Sequence, residues 1–222
     1  MIFIFDLDDT LYPEINYVLS GFKTLSKYLE INHNIDSERS YKFMKSEVEK
    51  NGRGKVFDKL LKKYNIFTKG LLRKCILIYR HHDPNIFLDL ATKEILNYLK
   101  GDIYLVTDGH KVVQAKKIKA LNLDLYFKKI FITHRYGTIH SKPSTYCFDL
   151  IRKSEKCDWN ELVYIGDNPQ KDFVNLNSNG SITIRVLSGM FSSVKALPGY
   201  GSKYEIKSLK NLLPLLRENN YL

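Results

Sequence analysis

The sequence predicts an α/β fold, a doubly wound, Rossmann-like parallel sheet with an all-helical insertion after its first strand. Three observations carry this. Four apolar residues, Ile2 to Phe5, run straight into Asp6-Leu7-Asp8-Asp9-Thr10. Residues 14–85 then hold helical periodicity without a strand pattern. Beyond Pro84, short apolar runs alternate with helical segments. Strands that alternate with helices form a parallel sheet covered on both faces. The expected boundaries are 1–13 and 86–222 for the α/β core and 14–85 for the helical insertion.

Residues 2–5 have the length of a buried strand. In the insertion, Val18, Leu19, Phe22, Leu25, Tyr28 and Leu29 recur at helix spacing. Residues 37–52 read as a second helix, with Ser37 as N-cap and Gly52 as stop. Val56, Leu60, Leu61 and Tyr64 share one side of a third, and residues 69–82 form a fourth that closes before Pro84. The alternating part follows in order. It has a helix at 91–101, strand at 102–107, helix at 110–123, strand at 129–133, helix at 144–154 and strand at 162–166. A short helix at 171–180, a strand at 181–186 and a last helix at 208–216 complete it.

Composition narrows the class. Among 222 residues, 44% are hydrophobic, with 15 Tyr and 12 Phe, enough for a sizeable core. The longest apolar runs are about five residues, against the roughly 18 that cross a bilayer. The first apolar stretch is too short for a signal peptide and ends in acid. No membrane partner and a cytoplasmic location are expected. Three separated cysteines, Cys75, Cys147 and Cys157, indicate neither a disulfide framework nor a zinc knuckle. The net charge of +11 comes from dispersed lysines. Such a pattern describes a solvated surface and argues against a nucleic-acid partner, while favouring anionic small molecules. The sequence does not speak to oligomeric state.

In doubly wound sheets, ligands bind beyond the carboxyl ends of the strands. After the first strand stands the Asp6–Thr10 segment, and after the second Thr107-Asp108-Gly109. Lys142-Pro143 precedes a helix, and Gly166-Asp167-Asn168-Pro169-Gln170-Lys171-Asp172 follows the fourth strand. Two like charges near a buried strand repel unless a cation lies between them. Asp6 and Asp167, from different strand ends, form a natural pair for Mg²⁺. A lysine, a threonine hydroxyl and free turn amides make a cradle for phosphate oxygens. Together they describe phosphoryl transfer through an aspartyl-phosphate.

With these four segments in order, the chain resembles the haloacid dehalogenase superfamily, in its DxDxT phosphatase group. The likeness spans residues 2–172, and the helical insertion resembles the family's C1-type cap. The resemblance implies that Asp6 is the nucleophile and a metal ligand. It makes Asp8 the general acid and base, with its carbonyl on the metal, and has Thr10 hold the loop and orient the acid. Thr107 and the amides of Asp108 and Gly109 would bind the transferring phosphoryl group. Lys142 would neutralise charge between Asp6 and phosphate, Asp167 would ligate Mg²⁺, and Asp172 would brace Lys142 or a metal-bound water.

Asp8 selects within the family, because an alkoxide needs a proton on leaving and a halide does not. The expected activity is therefore a Mg²⁺-dependent phosphatase for a small phosphorylated metabolite: a sugar phosphate, an amino-alcohol phosphate or a nucleoside monophosphate. A phosphomutase on the same scaffold is the alternative, and a non-catalytic basic nucleic-acid-binding protein a third. Four further residues are candidates for substrate contact. Arg53 and Lys55 lie in a glycine-flanked turn between insertion helices, Tyr12 lies where the chain leaves for the insertion, and His110 follows the Thr-Asp-Gly turn.

Overall fold

The computed structural model describes residues 1–101 and 103–222 and divides into two compact units. One comprises Met1–Glu14 and Phe87–Leu222, the other Ile15–Ile86. Asp102, which opens the strand expected at 102–107, lies outside the described residues.

The first unit is built on six parallel strands among the described residues: β1 (Ile2–Phe5), β2 (Ile103–Thr107), β3 (Lys129–Ile132), β4 (Leu162–Gly166), β5 (Ile182–Val186) and β6 (Tyr204–Ile206). Their order is β3-β2-β1-β4-β5-β6. The parallel sheet flanked by helices matches the expected α/β class. The sequence reading did not contain β6, a three-residue edge strand with a glutamate at its centre. So short and polar a strand carries no periodicity of its own.

Strands β2, β4 and β5 are buried along their whole length, as parallel strands covered on both faces must be. On one face Ile4, Tyr104, Val106, Phe131, Phe148 and Tyr164 form a continuous core. β1 is the strand at which the winding reverses. Phe5 pairs with Leu105 of β2 on one side and Ile165 of β4 on the other. The segments after β1, β2 and β4 therefore leave the sheet side by side at its switch point.

The second unit is helical. Four helices carry it: α1 (Glu14–His33), α2 (Ser37–Asn51), α3 (Val56–Lys63) and α4 (Lys69–His81). The apolar stripe of α1, with Val18, Phe22, Leu25 and Leu29, joins Met44, Val56, Leu60, Leu61 and Cys75 in one cluster. Asp36 caps α2, its carboxylate accepting from the Arg39 amide at 2.7 Å. The cap thus sits one residue before Ser37, because an Asx side chain reaches the third residue on as readily as a serine does. Thr68 caps α4 in the same way. Among the described residues no helix is long and apolar enough to cross a membrane.

Among the described residues the α/β unit carries five further α-helices: α5 (Leu90–Tyr98), α6 (Lys111–Ala120), α7 (Tyr146–Glu155), α8 (Val174–Ser178) and α9 (Leu212–Glu218).

Candidate active site

Asp6 stands one residue past β1 and still donates its amide to Ile165 O at 2.8 Å, so the sheet ladder sets its position. Asp167 follows β4 directly, and the chain then turns so that Asp172 folds back. The Asp172 carboxylate accepts from the Asn168 amide at 2.9 Å. A Cβ at position 166 would lie 2.7 Å from that carboxylate, so the glycine clears the space for it. Oxygens of Asp6, Asp167 and Asp172 all lie within 4.8 Å of one another, and all three residues are buried.

Lys142 enters this cluster from the loop before α7. Its ammonium lies 2.8 Å from Asp6 Oδ1, 2.8 Å from Asp172 Oδ1 and 2.8 Å from the Tyr164 hydroxyl. Burial by itself would lower the lysine's pKa, but the carboxylates of Asp172 and Asp6 outweigh it and hold the pKa well above the ordinary value. The acids do not share this comfort. Burial, with Asp172 adding repulsion and Lys142 relieving part of it, raises Asp6 to about 6. Burial and the charges of Asp6 and Asp172 raise Asp167 to about 9. The single ammonium is shared between Asp6 and Asp172, so it only partly offsets the repulsion among the three carboxylates.

These residues fit a divalent cation. With all three carboxylates ionised, one ammonium would leave two negative charges uncompensated in a buried cluster of oxygens. Such a donor set suits a small hard dication.

Asp8, two residues beyond Asp6, sits in a different setting. Lys117 Nζ lies 2.7 and 2.8 Å from its two oxygens, Tyr12 donates its hydroxyl at 2.8 Å, and Gln114 donates at 2.9 Å. Gln114 also donates to Thr107 Oγ1 at 2.7 Å, linking the acid to the strand-end threonine. Lys117 is only 2% exposed and reaches Glu14 as well, at 3.1 Å. Burial, followed by the neighbouring Asp8 charge, pushes the Tyr12 phenol well up, so it stays a donor.

Two residues stand differently from their expected roles. The Thr10 hydroxyl is buried with no hydrogen-bond partner among the described residues and makes no hydrogen bond to Asp8. The loop closes as a turn, Leu11 N bonding Leu7 O at 3.0 Å, and this returns Tyr12 rather than Thr10 to Asp8. Asp108 contributes more than an amide. Its carboxylate accepts from Thr133 Oγ1 at 2.8 Å, from the Lys142 amide at 3.1 Å and from Lys171 Nζ at 2.7 Å. Burial would raise its pKa, but Lys142 and Lys171 prevail and hold it below the ordinary value. Asp108 thus ties together the loops that carry Lys142 and Lys171.

Asp6, Asp8, Thr107, Asp108 and Asp167 line one pocket of about 160 Å³, together with Asp9, Glu14, Asn168, Lys171 and Phe191. Gly109 is half-buried at the turn into α6. His110 is exposed at the N-terminus of that helix, and its side chain does not cap it. Tyr12 is buried on Asp8 rather than open at an entrance. Arg53 and Lys55 are exposed in the turn between α2 and α3, within the helical unit. Sequence reasoning passed over Gln114, Lys117, Tyr164 and Lys171. A signal for two of them existed. Gln114, Lys117, Ile118 and Leu121 recur at i, i+3, i+4 and i+7, which puts a lysine on the buried stripe of α6.

Residues 3–179 match the family model described as haloacid dehalogenase-like hydrolase. The chain is 26% identical to a glyceraldehyde 3-phosphate phosphatase of Methanocaldococcus jannaschii, covering 96% of each protein. It is 23% identical to the protein of that name from Methanopyrus kandleri, covering 97% of this chain and 96% of the relative. Among solved structures, the HAD-hydrolase YfnB of Bacillus subtilis, bound to magnesium, superposes with a TM-score of 0.66. It shares 20% identity, with 96% of this chain and 97% of YfnB covered. A 2-haloacid dehalogenase of Pseudomonas syringae superposes at 0.64 with 19% identity, covering 98% and 99%. Likeness of fold thus extends across different chemistries, and the family rests on the sequence match over most of the chain. With the motifs, their convergence at the switch point and this match in agreement, the chain belongs to the haloacid dehalogenase-like hydrolases.

Proposed function

We propose that this phosphatase hydrolyses a small phosphomonoester at Asp6, with a divalent cation, Mg²⁺ by its oxygen donors, held by Asp6, Asp167 and the Asp8 carbonyl. The observation that carries the reading is the ion pair of Lys142 with Asp6 inside a buried cluster of three carboxylates. The bound cation would supply charge neutralisation for the phosphoryl oxygens. The names of the archaeal relatives support a sugar-phosphate substrate, glyceraldehyde 3-phosphate among the candidates.

The chain's own groups account for both half-reactions. An Asp6 oxygen forms a bond to phosphorus while the bond to the leaving oxygen breaks, and Asp8 delivers its proton to that alkoxide. Asp8, now a carboxylate, takes a proton from water, whose oxygen attacks phosphorus and returns Asp6 with release of phosphate. Lys142 holds Asp6 in place, and Thr107 with the turn amides of Asp108 and Gly109 receives the phosphoryl oxygens. Tyr12, Gln114 and Lys117 keep Asp8 oriented. Asp172 braces Lys142. Residues 15–86 are read as the cap module, with Arg53 and Lys55 selecting the leaving group.

The test is phosphate release from a panel of phosphorylated metabolites, with Mg²⁺ and with EDTA, for the wild type and Asp6→Asn. Release that needs Mg²⁺ and vanishes in the variant is expected. Undiminished release by Asp6→Asn overturns the nucleophile, and isomerised sugar phosphate without free phosphate converts the reading to a mutase.

A further inference from the structure

Phe191 is the one apolar residue that lines the pocket of Asp6, Asp8 and Asp167 among the described residues. It comes from the segment between β5 and β6, beyond residue 179, where the family match ends. It is therefore no part of the four motif segments.

The segment is nonetheless fixed to both carboxylate loops. On one side Arg185, 3% exposed on β5, donates to the Asp167 carbonyl at 3.3 Å. The same guanidinium donates to the carbonyls of Phe191 at 2.6 Å and Val194 at 2.7 Å. One planar fork thus joins the backbone of a carboxylate in the acidic cluster to the backbone of Phe191. On the other side the Ser188 hydroxyl donates to the Asp9 carbonyl. Gly189, at φ +61°, lies so close to the Asp9 carboxyl that a Cβ would sit 2.1 Å from it. No other residue admits that approach at that φ. The backbone on both sides of Phe191 is thus anchored, and the half-buried residue stands at the wall of the pocket.

We infer that Phe191, positioned by Arg185, determines substrate choice by packing against the short carbon chain of the leaving group. This rests on the phosphatase reading above. The pocket is otherwise polar, so binding of carbon falls to this ring. At about 160 Å³ the pocket has room for a phosphoryl group with a short carbon chain against this ring. Differences of one or two carbons in such a contact are worth about 10- to 200-fold in kcat/KM. Phe191 would touch the substrate, whereas Arg185 acts through the loop.

The test is kcat/KM of the wild type, Phe191→Ala and Phe191→Leu on acetyl phosphate, glyceraldehyde 3-phosphate and glucose 6-phosphate. For Phe191→Ala the triose phosphate should lose about tenfold or more, chiefly through KM, while acetyl phosphate stays within about threefold. The triose-to-hexose preference should shrink by at least the same factor, and Phe191→Leu should restore most of it. An equal loss on all three substrates, or no loss on any, overturns the inference and leaves the phosphatase reading standing. A wild type that hydrolyses none of the three overturns both.

Discussion

Two aspartates two residues apart on one loop live in opposite electrostatic settings. Asp6 shares a single ammonium with Asp172, and with Asp167 beside them the three carboxylates outnumber it in a setting that burial makes costly. Asp8 has Lys117 on both oxygens, a phenol and an amide, so the protein itself meets its needs. The difference teaches how one loop can separate two tasks. On the function proposed above, the side short of positive charge would recruit a cation and a phosphate, and the compensated side would handle protons apart from the metal.

The strongest way to break this comparison is to remove a charge from the deficient side. Asp6→Asn should lower kcat by about 10³-fold or more, measured as phosphate release. Asp167→Asn should abolish the rise in Tm that Mg²⁺ produces while raising Tm in EDTA, because a buried repulsion is gone. A lower Tm in EDTA would show that the acids are not in conflict. Lys142→Met acts in the other direction. It leaves Asp172 without its cation, and urea denaturation in EDTA should show a loss of about 3–5 kcal/mol. On the compensated side, Lys117→Met should cut kcat by about 10- to 100-fold and leave the Mg²⁺ affinity, read by calorimetry, within about twofold. Loss of Mg²⁺ binding in that variant would mean that the two clusters are one.

A pH titration sharpens the same contrast. Asp6 and Asp167 have pKa values raised to about 6 and about 9 without a cation, above their ordinary 3.8. The folded state then binds more protons than the unfolded state across that window. The stabilisation is complete below about pH 4 and is lost as pH rises through about 6 and about 9. In EDTA, Tm should therefore fall between pH 5 and pH 9 as far as these two groups govern it, and the gain from Mg²⁺ should be larger at pH 8 than at pH 5.5. The smallest effect belongs to the helical unit. Arg53→Ala with Lys55→Ala should raise KM by about two- to fivefold with kcat unchanged.

Much of the site was legible in the residues because strand ends are legible. Ile2–Phe5, Ile103–Thr107 and Leu162–Gly166 are short apolar runs closed by polar residues, and a parallel sheet must deliver such ends to one edge. What supports the catalytic candidates was harder to read. Lys117 lies among Lys116 and Lys119, and only its helical phase separates it from them. Thr10 fits the motif by spacing, yet the turn after Leu7 carries Tyr12 to Asp8 in its place. Phe191 follows no motif, and Arg185 reads as one more residue of a strand.

The sequence by itself determined the α/β class, the order of the catalytic segments and the strand ends from which they project, since these follow from local periodicity and from the geometry of parallel sheets. Only the tertiary structure decided which charges are shared and which are left over. It paired Lys117 with Asp8 across 109 residues of chain and gave Lys142 to Asp6 and Asp172 together. It also brought the Phe191 loop against the pocket that Asp6, Asp8 and Asp167 line. Coulomb interactions depend on distance and burial, and neither is a property of a residue's place along the chain.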